Sequence, residues 1–376
     1  MSGLFALRRV VVKVGSSVLA NAKGQLMPER LQRLADEIAR CAKVDQQPVL
    51  VSSGAIACGM AKLGLTQRPK ALAQLQACAA IGQGELMYLY TQAFGRHGLV
   101  TAQILLTQED LAQQQRLRNA KQTLLTLLHR GVVPIINEND TVAVEEITFG
   151  DNDRLAALVA VAIEAQLLVL LSDVDGFLQG GRVVERIDQL GSAHHAAVQG
   201  SARQTTKGGM SSKLEAARLV GHSGIPMVIA NGTKASVVSD VLAGRSVGTL
   251  FVPPRSRLTR RKWWIAFALR QPKGTIVVDA GAAAALTEQG KSLLASGVQQ
   301  VKGTFEAGAF VAVADGQGAE VARGMTNFSS SDLSRIRGLR SADAARVMGE
   351  PRVKEVIHRD RLVLARELQH HGADDE

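Results

Sequence analysis

A lysine stands among four valines in Val10-Val11-Val12-Lys13-Val14-Gly15-Ser16-Ser17, a run with the composition of a buried strand. A buried ammonium group is costly unless it meets an anion, and Gly15 would let the backbone amides that follow approach one closely. An edge strand whose lysine reaches solvent would read the same way, so the segment decides nothing alone. A second lysine-bearing segment, Lys207-Gly208-Gly209-Met210-Ser211-Ser212-Lys213, runs into a helical pattern over Leu214 to His222. Glycines at a helix start free several N–H groups for phosphate, and Lys213 adds a full positive charge beside them. Its alternative is a flexible loop before an ordinary helix. Two such segments in one chain favour phosphate binding.

Three further clusters complete the chemistry. Val51-Ser52-Ser53-Gly54-Ala55-Ile56 reads as a strand-to-helix turn offering amides and hydroxyls to a carboxylate or phosphate. It lacks GxSxG, which disfavours a covalent serine mechanism. Acid and amide side chains crowd Ile135-Ile136-Asn137-Glu138-Asn139-Asp140 and again Gly150-Asp151-Asn152-Asp153. Such a set repels an anion and suits a cation or hydrogen-bond donors, such as the ammonium of an amino acid. Turn formation explains each residue singly and strains to explain the set. Ser172-Asp173-Val174-Asp175-Gly176 suits ribose hydroxyls or a plain turn equally well. There is no GxxxxGK[ST] or HExxH motif and no Cys/His cluster, so neither a P-loop nor a protein-bound metal is expected.

These clusters need strand ends to hold them. Short β-branched runs at Arg9 to Val14, Pro48 to Val51, Val100 to Leu105, Val132 to Ile136, Leu167 to Leu171 and Pro226 to Ile229 alternate with helical segments. One such segment is Pro28 to Lys43, with Leu31, Leu34, Ile38 and Cys41 at helical spacing behind a proline suited to a first turn. Continuous apolar strands separated by helices imply an α/β domain whose mainly parallel, open sheet is sandwiched by helices. Ligands bind such sheets beyond the carboxyl ends of the strands, where the polar clusters fall.

At 376 residues the chain exceeds the usual single domain. Val252-Pro253-Pro254 and the basic residues Arg255, Arg257, Arg260, Arg261 and Lys262 break the pattern. The expected organisation is an α/β domain over 1–254, a basic linker over 255–273, a small β-rich domain over 274–352 and a charged tail over 353–376. Within the small domain, strands are expected at Thr275 to Asp279, Val298 to Phe305, Phe310 to Ala314 and Ala319 to Gly324, with an Asp315-Gly316 hairpin. Hydrophobic residues at 46% and charged residues at 21% match globular composition and argue against extensive disorder. Cys41, Cys58 and Cys78 are too far apart for a CxxC pair and read as reduced, buried thiols. The N-terminus lacks a signal-peptide core and no segment is apolar enough to span a bilayer, so a cytoplasmic protein without membrane association is expected. The net charge of +10 is densest in the last third and suits either an anionic partner or a solvated basic face.

Taken in order, VVVKVGSSVL, VSSGAI, IINENDTV, GDND, LLSDVDG and KGGMSSK resemble the amino acid kinase family, and the resemblance runs from Val10 to Arg337. The part containing KSLLASGV (Lys291 to Val298) and GMTNF (Gly324 to Phe328) resembles a PUA domain. The PUA resemblance implies a β-rich barrel. The kinase resemblance, narrowed by the INEND and GDND segments and the small domain that follows, makes 1–254 the catalytic domain. It implies ATP-dependent phosphorylation, with Mg2+, of the γ-carboxylate of L-glutamate, the first step of proline biosynthesis. By the same resemblance Lys13 and Lys213 flank the transferred phosphoryl group and Asp153 orients them. ATP would meet Lys13, Gly15, Ser16, Ser172, Asp173 and the loop Lys207, Gly208, Gly209, Met210, Ser211, Ser212 and Lys213. Glutamate would meet Ser53, Gly54, Asn137, Asp140 and Asn152. The family has Gly-Thr before Gly-Gly-Met where this chain has Thr206-Lys207, which alters the loop and keeps positive charge at it. A homo-oligomer and feedback inhibition by proline also follow from the resemblance. Two other readings stay open. One is a kinase of the same fold acting on acetylglutamate, aspartate or carbamate; the other is an RNA-binding regulator working through the PUA-like part.

Overall fold

The computed structural model of the protein describes residues 7–21, 24–43, 46–142, 151–191, 194, 209–254, 259–269 and 271–369. The chain forms two compact units, Met1–Arg257 and Leu258–Glu376. In the first, β1 (Arg9–Val14), β2 (Gln47–Ser52), β3 (Thr101–Leu106), β4 (Val133–Glu138) and β5 (Leu167–Ser172) are the long strands. They are followed by the short β6 (Leu178–Gln179), β7 (Arg182–Val183) and β8 (Arg186–Ile187), then β9 (Met227–Asn231) and β10 (Thr249–Phe251). Eight of them form one sheet in the order β3-β4-β2-β1-β5-β9-β10-β8, while β6 and β7 pair separately. Every neighbouring pair in the large sheet is parallel except β9 and β10. All six residues of β5 are buried, as are the last five of β1. Those apolar runs are what a sheet covered on both faces requires.

The helices of this unit include α1 (Ser16–Leu19), α2 (Pro28–Lys43), α3 (Ala55–Lys62), α4 (Leu72–Gly95), α5 (Gln108–Ala112), α6 (Gln114–His129) and α7 (Asp151–Ala162). A further helix spans Met210–Gly221. Helix α2 starts at Pro28 and buries Leu31, Leu34, Ile38 and Cys41, the stripe read from the sequence, together with Ala35 against the core. Thr107 and Asp110 close a reciprocal capping box at the start of α5.

Helices α3 and α4 touch backbone to backbone. A Cβ added at Gly82 would lie 1.8 Å from the Ala55 carbonyl oxygen, and one at Gly59 would lie 1.8 Å from that of Cys78. No rotamer change relieves a clash with main chain. Gly82→Ala is therefore expected to cost at least the roughly 1–3 kcal/mol of ordinary overpacking, read as a lower chemical-denaturation midpoint. An unchanged midpoint would mean that the crossing has room to spare.

In the second unit, β11 (Thr275–Val278), β12 (Val298–Lys302), β13 (Phe310–Ala314), β14 (Glu320–Met325) and β15 (Leu362–Leu364) form a sheet in the order β12-β11-β13-β14-β15. Its pairs are antiparallel except β11 with β13. Two expectations need correction here. The stretch expected as a basic linker is a short helix, Arg260–Trp263, continued by a π-helical turn over Trp264–Ala268. Trp263, Trp264, Ile265 and Phe267 of this stretch are buried. Arginines dominate the local charge count, but it is the apolar residues between them that decide packing. Residues 255–258 lie outside the described set. The segment expected as a charged tail is likewise structural, since Val353, Val356, Ile357, Leu362 and Leu364 belong to the core. Leu362–Leu364 pairs antiparallel with Ala322–Gly324 at the sheet edge.

The β13–β14 hairpin is longer than its Asp-Gly signal suggests. Asp315 Oδ1 accepts from the backbone N–H groups of Gln317 and Ala319, both at 2.9 Å. The left-handed residue is Gly318, at φ +87°, rather than Gly316. Asp279 is no strand residue either: its carboxylate caps a helix, Ala280–Thr287, by accepting from the Ala282 N–H at 2.7 Å.

Candidate active site

The parallel register lays the candidate residues along one edge of the large sheet. Lys13 on β1 stands level with Val51 on β2 and Leu170 on β5, and Ser172 at the end of β5 stands level with Asn231 on β9. Just past β1, the Gly15 N–H donates to the Leu171 carbonyl at 3.1 Å. Lys13 points from the strand end to α7, where Asp153 is fully buried.

One carboxylate joins both predicted lysines. Asp153 Oδ1 lies 2.6 Å from Lys13 Nζ, and its Oδ2 lies 3.0 Å from Lys213 Nζ. The Ser212 hydroxyl donates to the same Oδ2 at 2.8 Å, and it also reaches the Gly209 carbonyl at 3.0 Å. Lys13 is 5% exposed and Lys213 8%. Two ammonium groups against one carboxylate leave this cluster with an excess positive charge in a nearly dry place. Burial would push the Asp153 carboxyl up, but the ammonium groups of Lys13 and Lys213 and the hydrogen bonds from Lys13 and Ser212 hold it below the usual carboxylate range. Burial pulls the Lys13 ammonium down; Asp153 opposes that pull and the charge of Lys213 adds to it. The cluster is therefore short of negative charge and built to accept an anion.

The helices that carry these groups are fastened together. Arg154 on α7 pairs with Glu215 on the helix Met210–Gly221, Nη1 to Oε1, at 2.6 Å. That helix starts behind Gly209, with Met210 half-buried and Ser211 exposed. Lys207 and Gly208 lie outside the described residues.

A second group gathers on the β2 and β4 side. Gly54, at φ +117°, turns the chain from β2 into α3 in a conformation that L side chains rarely adopt. Ser53 is anchored by its N–H on the Val14 carbonyl at 3.2 Å. Its hydroxyl accepts from Asn152 Nδ2 at 2.9 Å, and the same Nδ2 lies 3.1 Å from Asn137 Oδ1. Asn137 is buried at the end of β4, which runs to Glu138 and so extends beyond its expected limit. Asn152 Oδ1 is buried and has no hydrogen-bond partner among the described residues. Asp140 opens a 3-10 turn directly after β4 and is half-buried.

The last predicted piece, Ser172 and Asp173, lies past β5. Ser172 is buried and Asp173 exposed; the Ser172 hydroxyl donates to Asp173 Oδ1 at 3.1 Å. The neighbouring Asp175 accepts from Asn231 Nδ2 at 3.0 Å, and the Gly232 N–H donates to the Ser172 carbonyl at 2.8 Å. Gly15 and Ser16 follow β1 at the same sheet edge.

Sequence reading passed over three residues here. Gln83 on α4 accepts from Asn137 Nδ2 at 2.9 Å, and Tyr90 on the same helix shares a 2.8 Å hydrogen bond with Ser52. Their signal lay in small residues spaced four apart, Ala55 and Gly59 on one helix and Cys78 and Gly82 on the other, the spacing of close helix packing. Arg68 was missed because nothing in its surroundings marks a strand end. Burial pulls its guanidinium down and the charge of Asp140 opposes that.

Comparison with known proteins fits this geometry. Residues 8–231 match the model of the amino acid kinase family and residues 274–348 that of the PUA domain. A glutamate 5-kinase of Caldanaerobacter subterraneus subsp. tengcongensis is 44% identical over 371 residues, which cover 97% of this chain and all of that protein (100%). One from Geobacter metallireducens is 46% identical over 365 residues, covering 95% of this chain and 98% of the relative. One from Geobacter sulfurreducens is 45% identical over 371 residues, covering 96% and 99%.

Proposed function

Because the chain belongs to the amino acid kinase family, and within it to the glutamate 5-kinases, we propose that the first unit transfers the γ-phosphoryl group of ATP to the γ-carboxylate of L-glutamate. The products are glutamyl 5-phosphate and ADP, and the reaction opens proline biosynthesis. The observation that carries the reading is the single buried carboxylate of Asp153 bridging Lys13 and Lys213 at 2.6 and 3.0 Å.

A γ-carboxylate has a pKa of about 4 and is ionised at neutral pH, so the attack needs no general base. Asp153, held ionised between two ammonium groups, is poorly suited to act as one. The reacting oxygen forms a bond to the γ-phosphorus while the bond to the bridging oxygen of the β-phosphate breaks and its electron pair leaves with ADP. Positioning and charge neutralisation then supply the catalysis. Lys13 and Lys213 would meet the phosphoryl oxygens from two sides, with Asp153 and Ser212 holding their directions. Mg2+ bound to the nucleotide would add neutralisation on its phosphates. Ser172 and Asp173 would contact the nucleotide beyond β5, while Ser53, Asn137, Asp140 and Asn152 would receive glutamate. The free Oδ1 of Asn152 and the carboxylate of Asp140 are acceptors, as an ammonium requires.

Coupled ADP release with a panel of acceptors, together with hydroxylamine trapping of the acyl phosphate, tests the proposal. Glutamate should turn over and give the hydroxamate; aspartate, carbamate and N-acetylglutamate should not. Equal turnover of glutamate and N-acetylglutamate would defeat the assignment of the acceptor. Within the pocket, Asp140→Ala is expected to raise the glutamate KM by roughly tenfold or more, the worth of a hydrogen bond to a charged group. The ATP KM should change little. Equal shifts in both constants would remove Asp140 as the ammonium's partner.

A further inference from the structure

The amide groups around the pocket form a chain whose sense is set by a backbone donor. The N–H of Glu138 can only donate, and it reaches Asn137 at 2.9 Å, so the atom it meets there is the oxygen Oδ1. The other branch of Asn137 is then its NH2 group, which lies 2.9 Å from Gln83. Gln83 must therefore present its oxygen, because its own NH2 would set donor against donor. Asn137 Oδ1 also faces Asn152 at 3.1 Å, which makes that atom of Asn152 its nitrogen, and the same nitrogen donates to the Ser53 hydroxyl at 2.9 Å. What remains is Asn152 Oδ1, buried and without a partner among the described residues. A ligand atom that meets it must bring a hydrogen. An ammonium brings three and a positive charge; an acylated nitrogen brings one and none.

We infer that Gln83 is a positioning residue that locks this amide chain so that Asn152 offers the pocket an acceptor, and thereby selects acceptors with a free ammonium group. The inference rests on the reading of this pocket as the glutamate site. Gln83 is itself buried, at 9% exposure, and touches none of the reacting atoms. Its backbone is held by the crossing of α3 and α4, where Gly82 lies against Ala55. Losing the Gln83 oxygen strands the Asn137 NH2 in a dry place, and Asn137 cannot turn over because the Glu138 N–H still needs its oxygen. The relief open to it is displacement, which loosens its hold on Asn152.

The test is steady-state kinetics on the full chain with glutamate and ATP varied in turn. Gln83→Met keeps the length and removes the acceptor. It should raise the glutamate KM about tenfold, the value of one buried hydrogen bond, with the ATP KM within about twofold of wild type. Gln83→Leu, which lacks the acceptor in a different shape, should shift it in the same direction. Gln83→Glu keeps an oxygen facing Asn137 in either protonation state and should stay within about threefold of wild type. Tyr90→Phe serves as the structural control: it removes the bond to Ser52 from the same helix and should lower Tm without moving the glutamate KM. A wild-type glutamate KM in both Gln83→Met and Gln83→Leu, a Gln83→Glu variant as impaired as they are, or parallel rises in both KM values would overturn the inference. Failure of the wild-type enzyme to phosphorylate glutamate would instead defeat the reading of the pocket, and it would be seen before any variant is made.

Discussion

Lys213→Ala is expected to lower kcat about a thousandfold while leaving Tm unchanged or slightly raised. The two effects part because the cluster is overcharged. Lys13 and Lys213, both nearly buried, share one carboxylate. Removing one ammonium leaves a matched Lys13–Asp153 pair with the Ser212 hydroxyl still donating to Asp153 at 2.8 Å. Folding loses no counter-ion and is relieved of a like-charge contact. On the proposed mechanism, catalysis would lose half of the positive charge aimed at the migrating phosphoryl group. Losing one preorganised donor to a developing oxyanion costs about 10²–10³ in kcat, and a cationic group on a transferring phosphoryl is worth about 10³–10⁵. Lys213→Arg should rescue little, since a planar guanidinium cannot occupy the place of a compact ammonium between Asp153 and a phosphate. Turnover by coupled ADP release and a melting curve on the same preparation check both halves. A kcat within a few-fold of wild type would take Lys213 out of the mechanism; a large fall in Tm would make its role structural.

The strand-end chemistry was legible because the residues concerned contradict their surroundings. A lysine inside a valine run is a misfit, and the misfit is resolved by Asp153, which sits 140 positions away in the chain and 2.6 Å away in space. The clusters at Asn137 to Asp140 and at Asn152 and Asp153 stood out as acid and amide groups crowded after a buried strand, a set that turn formation strains to explain. The residues behind them do not stand out. Gln83 and Tyr90 lie on the 24-residue α4, whose apolar character runs all round the helix, so no face is marked and each polar residue reads as incidental. Their partners, Asn137 and Ser52, lie at the ends of β4 and β2, and the glycines that let α3 and α4 approach have a purpose visible only once both helices are in place. The second unit taught the opposite lesson about charge. Averaging charge over 255–273, or over the last two dozen residues, weights the long basic side chains. It passes over Trp263, Phe267 and Leu362, all of which are buried.

Asp153→Asn should reverse the pattern expected at Lys213, destabilising the fold as severely as it impairs turnover. The amide can accept from one ammonium but neutralises neither, so Lys13 and Lys213 are left buried with like charges facing each other. Breaking a buried ion pair from one side costs about 3–5 kcal/mol. The sign of the pH dependence follows from which group still titrates. In the wild type the depressed carboxyl of Asp153 contributes stability that is complete above the ordinary carboxylate range and fades as pH falls through its lower, folded value. In the variant that contribution is gone, and the lysine matters instead. Its folded pKa, already lowered in the wild type, falls further without the carboxylate, so the unfolded chain binds more protons up to the unfolded value of about 10.4. Stability of Asp153→Asn should therefore rise from neutral pH toward pH 9 or so more steeply than that of the wild type, in which Asp153 offsets part of the lowering. An anion should do the same work at neutral pH: pyrophosphate, placed where a polyphosphate would lie, should raise the Tm of the variant more than that of the wild type. Equal melting points for the two proteins at neutral pH, with no response to pyrophosphate, would show that the two ammonium groups do not depend on Asp153, and the electrostatic account of the site would fall with that result.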